Sequence, residues 1–114
     1  MFGDALKKAR GSVSQSAVAR LIGIGTPHFS DVEREKRGPF SRERIFAIAD
    51  FLDVDPVPLL AAAAYDLGGV RLDIRPEDSG ARVRMAIGIA LRWSSLSDDQ
   101  IMRISDAARD QMIV

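Results

Sequence analysis

The sequence predicts an all-α protein, with five short helices over residues 1–67, a short extended segment over 68–78 and two further helices over 79–114. Three observations carry that prediction. Apolar residues recur every three or four positions through most of the chain, which is the period of an amphipathic helix. Ser, Asp, Gly and Pro fall where such helices would start and stop. Only Val70 to Arg75 alternates apolar and polar residues strictly, the period of a half-buried strand.

Phe2 to about Arg10 forms the first helix, with Phe2, Ala5, Leu6 and Ala9 inward and Lys7, Lys8 and Arg10 outward. Gly11 ends it. Ser14 caps a second helix and places Gln15 at its N-terminus, where free amide donors and the positive dipole end can meet a phosphate. Val18, Ala19, Leu21 and Ile22 share one stripe of that helix. The break at Gly23, Ile24 and Gly25 accepts backbone angles that a helix interior rejects. Thr26 as cap and Pro27 at the first position open the third helix. Phe29, Val32 and the aliphatic part of Glu33 form its inner stripe, and Thr26, Pro27, His28, Ser30 and Asp31 form the opposite face. Small Ala19 stands where two steeply crossing helices must touch, and Gly23 follows four residues later at the corner. That spacing is the one a helix-turn-helix requires.

Ser41 caps a fourth helix, in which Ile45, Ile48, Ala49 and Leu52 face inward and Phe46 and Phe51 flank them. Asp53 to Pro56 closes it, because proline is excluded from a helix interior. Val57 to about Leu67 makes an alanine-rich fifth helix, and Gly68-Gly69 marks a boundary. The Val70, Leu72 and Ile74 alternation calls for a strand that pairs with its own copy in a second subunit, or for an extended linker lying over the domain.

Residues 79 to about 93 then form a helix that is apolar on nearly every side. Val83, Met85, Ile87, Ile89, Leu91 and Trp93 lie along it, and such a helix cannot remain uncovered. Ser97 to Gln100 is a capping box that opens a last helix with Ile101, Ile104, Ala108 and Met112 in one stripe. These two helices are expected to bury each other and a symmetry mate, which would make them a dimerisation region. Packing back on their own domain is the alternative.

Composition narrows the classes. With 114 residues, 46% apolar and 28% charged, the chain suits one compact domain or a small domain with an oligomerisation appendage. It holds no cysteine and one histidine, which leaves neither a disulfide framework nor a metal cluster to expect. The opening MFGDALKK lacks the order of a signal peptide, and no apolar run reaches about 18 residues, so a cytoplasmic, non-membrane protein is expected. The net charge of zero hides an asymmetry: residues 1–49 hold nine basic and five acidic groups, a balance of +4, and the remainder carries −4. A locally positive half is what phosphate attraction needs. No paired carboxylates, nucleophile with a base or glycine-rich phosphate loop points to an enzyme, and no cofactor is implied.

Gln15, Ala19, Gly23, Phe29 and Val32, with Ser14 before them and the run Ser30 to Arg34 after them, resemble the phage-repressor (XRE, Cro-like) DNA-binding domain. The resemblance extends from about Phe2 to about Leu60. It implies a five-helix repressor-type domain that binds double-stranded DNA with the third helix in the major groove. It also implies a backbone contact from Gln15, base reading by Thr26, Pro27 and Asp31, and a loop after the third helix that rests on phosphates. His28 and Ser30 share that face. Arg34, Lys36, Arg37, Arg42 and Arg44 supply cations for that loop through counterion release. Asp31 either accepts from a cytosine amino group or pairs with a neighbouring arginine. The chain departs from the family in two places. Glu35 stands where glycine commonly follows the Glu-Arg pair, with the next glycine delayed to Gly38, and Gly25 stands where serine is common.

The function expected from this reading is a sequence-specific transcriptional repressor that binds a palindromic operator as a homodimer, with half-sites roughly 34 Å apart. The alternative is an antitoxin-like or ligand-sensing autoregulator whose C-terminal helices bind another protein.

Overall fold

The computed structural model describes the backbone of residues 1–113 and the side chains of residues 1–108. It is all helical, with no strand among the described residues: α1 (Phe2–Arg10), α2 (Gln15–Leu21), α3 (Thr26–Glu33), α4 (Arg42–Leu52), α5 (Val57–Leu67), α6 (Gly80–Arg92) and α7 (Asp98–Ile113). A short 3₁₀ turn over Trp93–Ser95 follows α6. No helix among the described residues is long and apolar enough to cross a membrane. The chain divides into two units, Met1–Arg71 and Leu72–Val114.

In the first unit, α1 packs on α3, α4 and α5, and α2 packs on α3 and α4. Phe2, Leu6, Val18, Phe29, Val32, Ile45, Ile48 and Leu59 are fully buried between them. Burying side chains of this size stabilises by about 1.5–3 kcal/mol each, so these eight outweigh any surface interaction in the unit. One inward expectation fails: Leu21 is 43% exposed. It lies about 200° around α2 from buried Ala19, on the side that no other helix covers.

Phe40 is the core residue that helical periodicity does not reveal. It lies in the loop before α4, yet it is buried, edge-on to Phe2 with ring centroids 5.9 Å apart and stacked on Phe29 at 5.8 Å. It precedes the Ser41 cap, and Ile45 sits at the fourth helical position. That is the spacing of a hydrophobic staple, which fixes the angle at which the chain enters a helix.

Gly3 is buried inside α1 because that helix crosses the end of α3 at close range. A β-carbon there would lie 2.6 Å from the carbonyl oxygens of both Val32 and Glu33. The first turn of α1 takes its hydrogen-bond acceptors from elsewhere in the chain. Asp66 of α5 accepts from the Phe2 amide at 2.7 Å, and Glu35 accepts from the Asp4 amide at 3.3 Å. The Phe2 amide holds the Asp66 carboxyl below its ordinary range.

The chain leaves α5 at Gly68, and the division between the two units falls after Arg71, inside the 68–78 segment. Arg42 donates from Nη2 to the Arg71 carbonyl at 2.8 Å, which ties the chain to the first unit as far as Arg71. Within the single chain residues 70–75 form no strand. A single strand finds no ladder partner within its own chain, and Val70, Leu72 and Ile74 are exposed. The backbone turns instead at 75–78, where the Arg75 amide donates to Asp78 Oδ2 at 2.9 Å.

In the second unit Ser79 caps α6 by accepting from the Arg82 amide, and the Ser97/Gln100 capping box opens α7 with both reciprocal bonds made. The expectation that the two helices bury each other is not met within the chain. No residue of α6 is buried, and Met85, Ile87, Leu91 and Trp93 are exposed. Ile89 is partly buried in α6, and Ile101 in α7, where Ile104 is exposed. Met112 lies outside the described side chains.

Candidate nucleic-acid interface

The corner between α2 and α3 is built as its residues require. Gly23 takes a left-handed φ of +72°, and the Ile24 amide donates to the Ala19 carbonyl at 3.0 Å. Buried Ala19 lets α2 and α3 meet there. Thr26 is not the cap of α3. Gly25 occupies that position with extended backbone, Thr26 becomes the first helical residue, and no side chain caps the helix. Thr26 is thereby left exposed with its hydroxyl uncommitted to capping, and Pro27 beside it is exposed too.

Behind this face α3 is anchored by Glu33. Its carboxylate accepts from Arg10 Nε at 2.7 Å, from Arg10 Nη2 at 3.0 Å and from Gln15 Nε2 at 2.8 Å, so one buried side chain joins α1, α2 and α3. Burial pushes the Glu33 carboxyl up. The Arg10 and Gln15 hydrogen bonds, with the Arg10 and Lys7 charges, outweigh that and hold it below its ordinary value. Arg10 was expected to face outward. It turns in because a carboxylate on an apolar stripe must be paired, and a bidentate guanidinium pairs it best. The Gln15 amide nitrogen, expected at a DNA phosphate, is likewise engaged inward with Glu33.

The remaining expected site residues divide into two groups. Ser30 and His28 are partly buried, and the His28 ring lies 6.1 Å from Phe40. Asp31 pairs with Arg34 at 3.0 Å and with Arg37 at 3.9 Å, so it is tied to cations on its own side of the molecule. Arg34, Lys36 and Arg37 are exposed. Arg42 is exposed and engaged with the Arg71 carbonyl, and Arg44 is partly buried.

Glu35 answers the question raised by the displaced glycine. It adopts a left-handed φ of +62° itself, so the chain turns at position 35 and not at Gly38. A residue with a β-carbon pays roughly 1–2 kcal/mol for that conformation. The acceptance from the Asp4 amide offsets part of this.

The geometry thus presents a short helix with an uncovered polar start and a cationic exit. Such a surface can donate hydrogen bonds to base edges and neutralise phosphates. No family model, curated protein or solved structure matches the chain.

Proposed function

We propose that residues 1–71 form a repressor-type helix-turn-helix domain that binds double-stranded DNA in a sequence-specific way, and that the whole chain acts as a dimeric transcriptional repressor. The observation that carries this reading is the α2–α3 pair. It turns through left-handed Gly23, its inner side is locked by Glu33, and its outer side leaves Thr26 and Pro27 exposed at the start of α3 and Arg34, Lys36 and Arg37 exposed past its end. Thr26 offers a hydroxyl to base edges or phosphate, and Pro27 an apolar contact to a thymine methyl. Asp31 acts by positioning Arg34 and Arg37 for the backbone. Repression needs no chemistry, since an occupied operator excludes polymerase.

Selection of duplexes from a random pool, followed by anisotropy titrations at several salt concentrations, tests the reading. Arg37→Ala is expected to weaken all sequences alike and to reduce the logarithmic salt slope by about 1. Thr26→Ala is expected to cost about 1–3 kcal/mol on the selected duplex and to relax preference at one position. A pool that yields no enriched sequence overturns the reading. The uncovered apolar residues of α6 favour one second reading, in which another protein docks there and DNA binding serves autoregulation.

A further inference from the structure

We propose that the second unit joins two copies of this chain through a four-helix assembly in which α6 of each copy is covered by α7 of the other. This rests on the dimeric part of the reading above and is independent of the DNA part.

The two helices are built for different places. α6 is apolar almost all round, with Met85, Leu91 and Trp93 60%, 80% and 63% exposed and no residue buried. A helix of that kind belongs in the middle of a bundle and needs neighbours on more than one side. α7 is a covering helix. Ile101, Ile104 and Ala108 make one stripe, and Arg103, Ser105 and Asp106 lie outside it together with apolar Met102 and Ala107. One α7 cannot cover α6 on all sides, whereas two copies give every α6 three neighbouring helices. Gly88, midway along α6, has open space where a β-carbon would be and permits close approach.

Charge selects the arrangement. α6 carries Arg82, Arg84 and Arg92 and no acidic residue, whereas α7 carries four aspartates against two arginines. Two α6 helices alone would bring arginine against arginine, and an α7 beside each brings opposite signs together. The chain's own α7 leaves α6 uncovered, since the turn at Trp93–Ser95 separates them. The α7 of a second copy is the occupant with both the matching stripe and the matching charge.

Paired charge reversals in the full-length chain test this. One variant carries Arg84→Glu and Arg92→Glu, leaving Arg82 with its partner Asp78 at 3.5 Å. The other carries Asp99→Lys and Asp106→Lys, sparing the first aspartate of α7. Sedimentation at micromolar concentration is expected to give a dimer for the unaltered chain. Each variant alone should lose self-association by about tenfold or more. Their mixture should regain it as a heteropair, because both exchanged contacts are then opposite in sign. Leu91→Asp should abolish the dimer with helical content unchanged by circular dichroism. An unaltered chain that stays monomeric overturns the dimeric reading and this inference together, and points to a different protein on α6. A dimeric chain whose reversed variants still pair with themselves, or form no heteropair, overturns the α6–α7 exchange alone.

Discussion

The two units of this chain use the same helical grammar to opposite ends. In Met1–Arg71 the helices turn their apolar stripes inward, Leu21 excepted, and the one buried charged residue, Glu33, is fully paired. Beyond Arg71 the helices are as well capped, at Ser79 and at Ser97, yet α6 buries nothing. The contrast separates two properties that are easily conflated. Local signals decide where a helix begins, and only a neighbour decides what its face is for.

The comparison breaks first at Glu33. If the closed interior of the first unit depends on that pairing, Arg10→Met should cost about 2–3 kcal/mol in chemical denaturation at neutral pH, because it strands a buried carboxylate. The pH dependence follows from the direction of the shift. A carboxyl held low in the folded state stabilises in full above about 4.3, the ordinary glutamate value, and that stabilisation fades as the pH falls through the lower folded value. The unaltered chain should therefore be more stable at pH 7 than at pH 3 by a margin that shrinks in the variant, where only the Gln15 bond and the Lys7 charge still oppose burial at Glu33. An unchanged margin would show that the network contributes no stability.

A smaller effect is expected at Gly3. Gly3→Ala would press a methyl group onto the α3 carbonyls and should lower stability by about 1–3 kcal/mol, read as a fall in Tm. The same change at Gly88 meets open space in the single chain, so a melt of Gly3→Ala indistinguishable from the unaltered chain would erase the contrast between the units. Smallest is Glu35→Gly. It relieves the left-handed backbone but gives up the Asp4 bond and the 2.9 Å pairing with the Met1 amino group, for a net gain of no more than about 1 kcal/mol in urea unfolding. A loss there would mean that the carboxylate outweighs the strain.

Much of the first unit was legible in the sequence because its signals are local. Ser14 and Ser41 cap where a capping residue precedes an apolar stripe, and in the second unit the capping box at Ser97 forms with both bonds. The Gly23 corner and the α5 limits also follow from local chemistry. What escaped depends on distance in the chain. The Arg10–Glu33 pair spans 23 residues and the Asp66–Phe2 bond 64, and no window of periodicity contains both ends. Two misses did leave traces. A glycine inside the α1 pattern is a poor helix former unless something approaches it, and Phe40 stands at staple spacing from Ile45. The candidate site was legible in its outer residues and not in their wiring. Thr26 lost the cap to Gly25 and Gln15 turned inward, whereas Asp31 took the arginine pairing that was one of its two expected roles. The 70–75 alternation states a preference and supplies no partner within one chain.

The anchoring of α3 through a single carboxylate has a further consequence for how this surface can change. The groups that anchor the helix, the Glu33 carboxylate with Arg10 and Gln15 and the buried Phe29 and Val32, approach from beneath, and Thr26 and Pro27 make none of those contacts. On the proposed DNA-binding reading, those outward positions can be rewritten like type in a fixed frame, so that new binding preferences are reachable by substitution there while the frame keeps its shape.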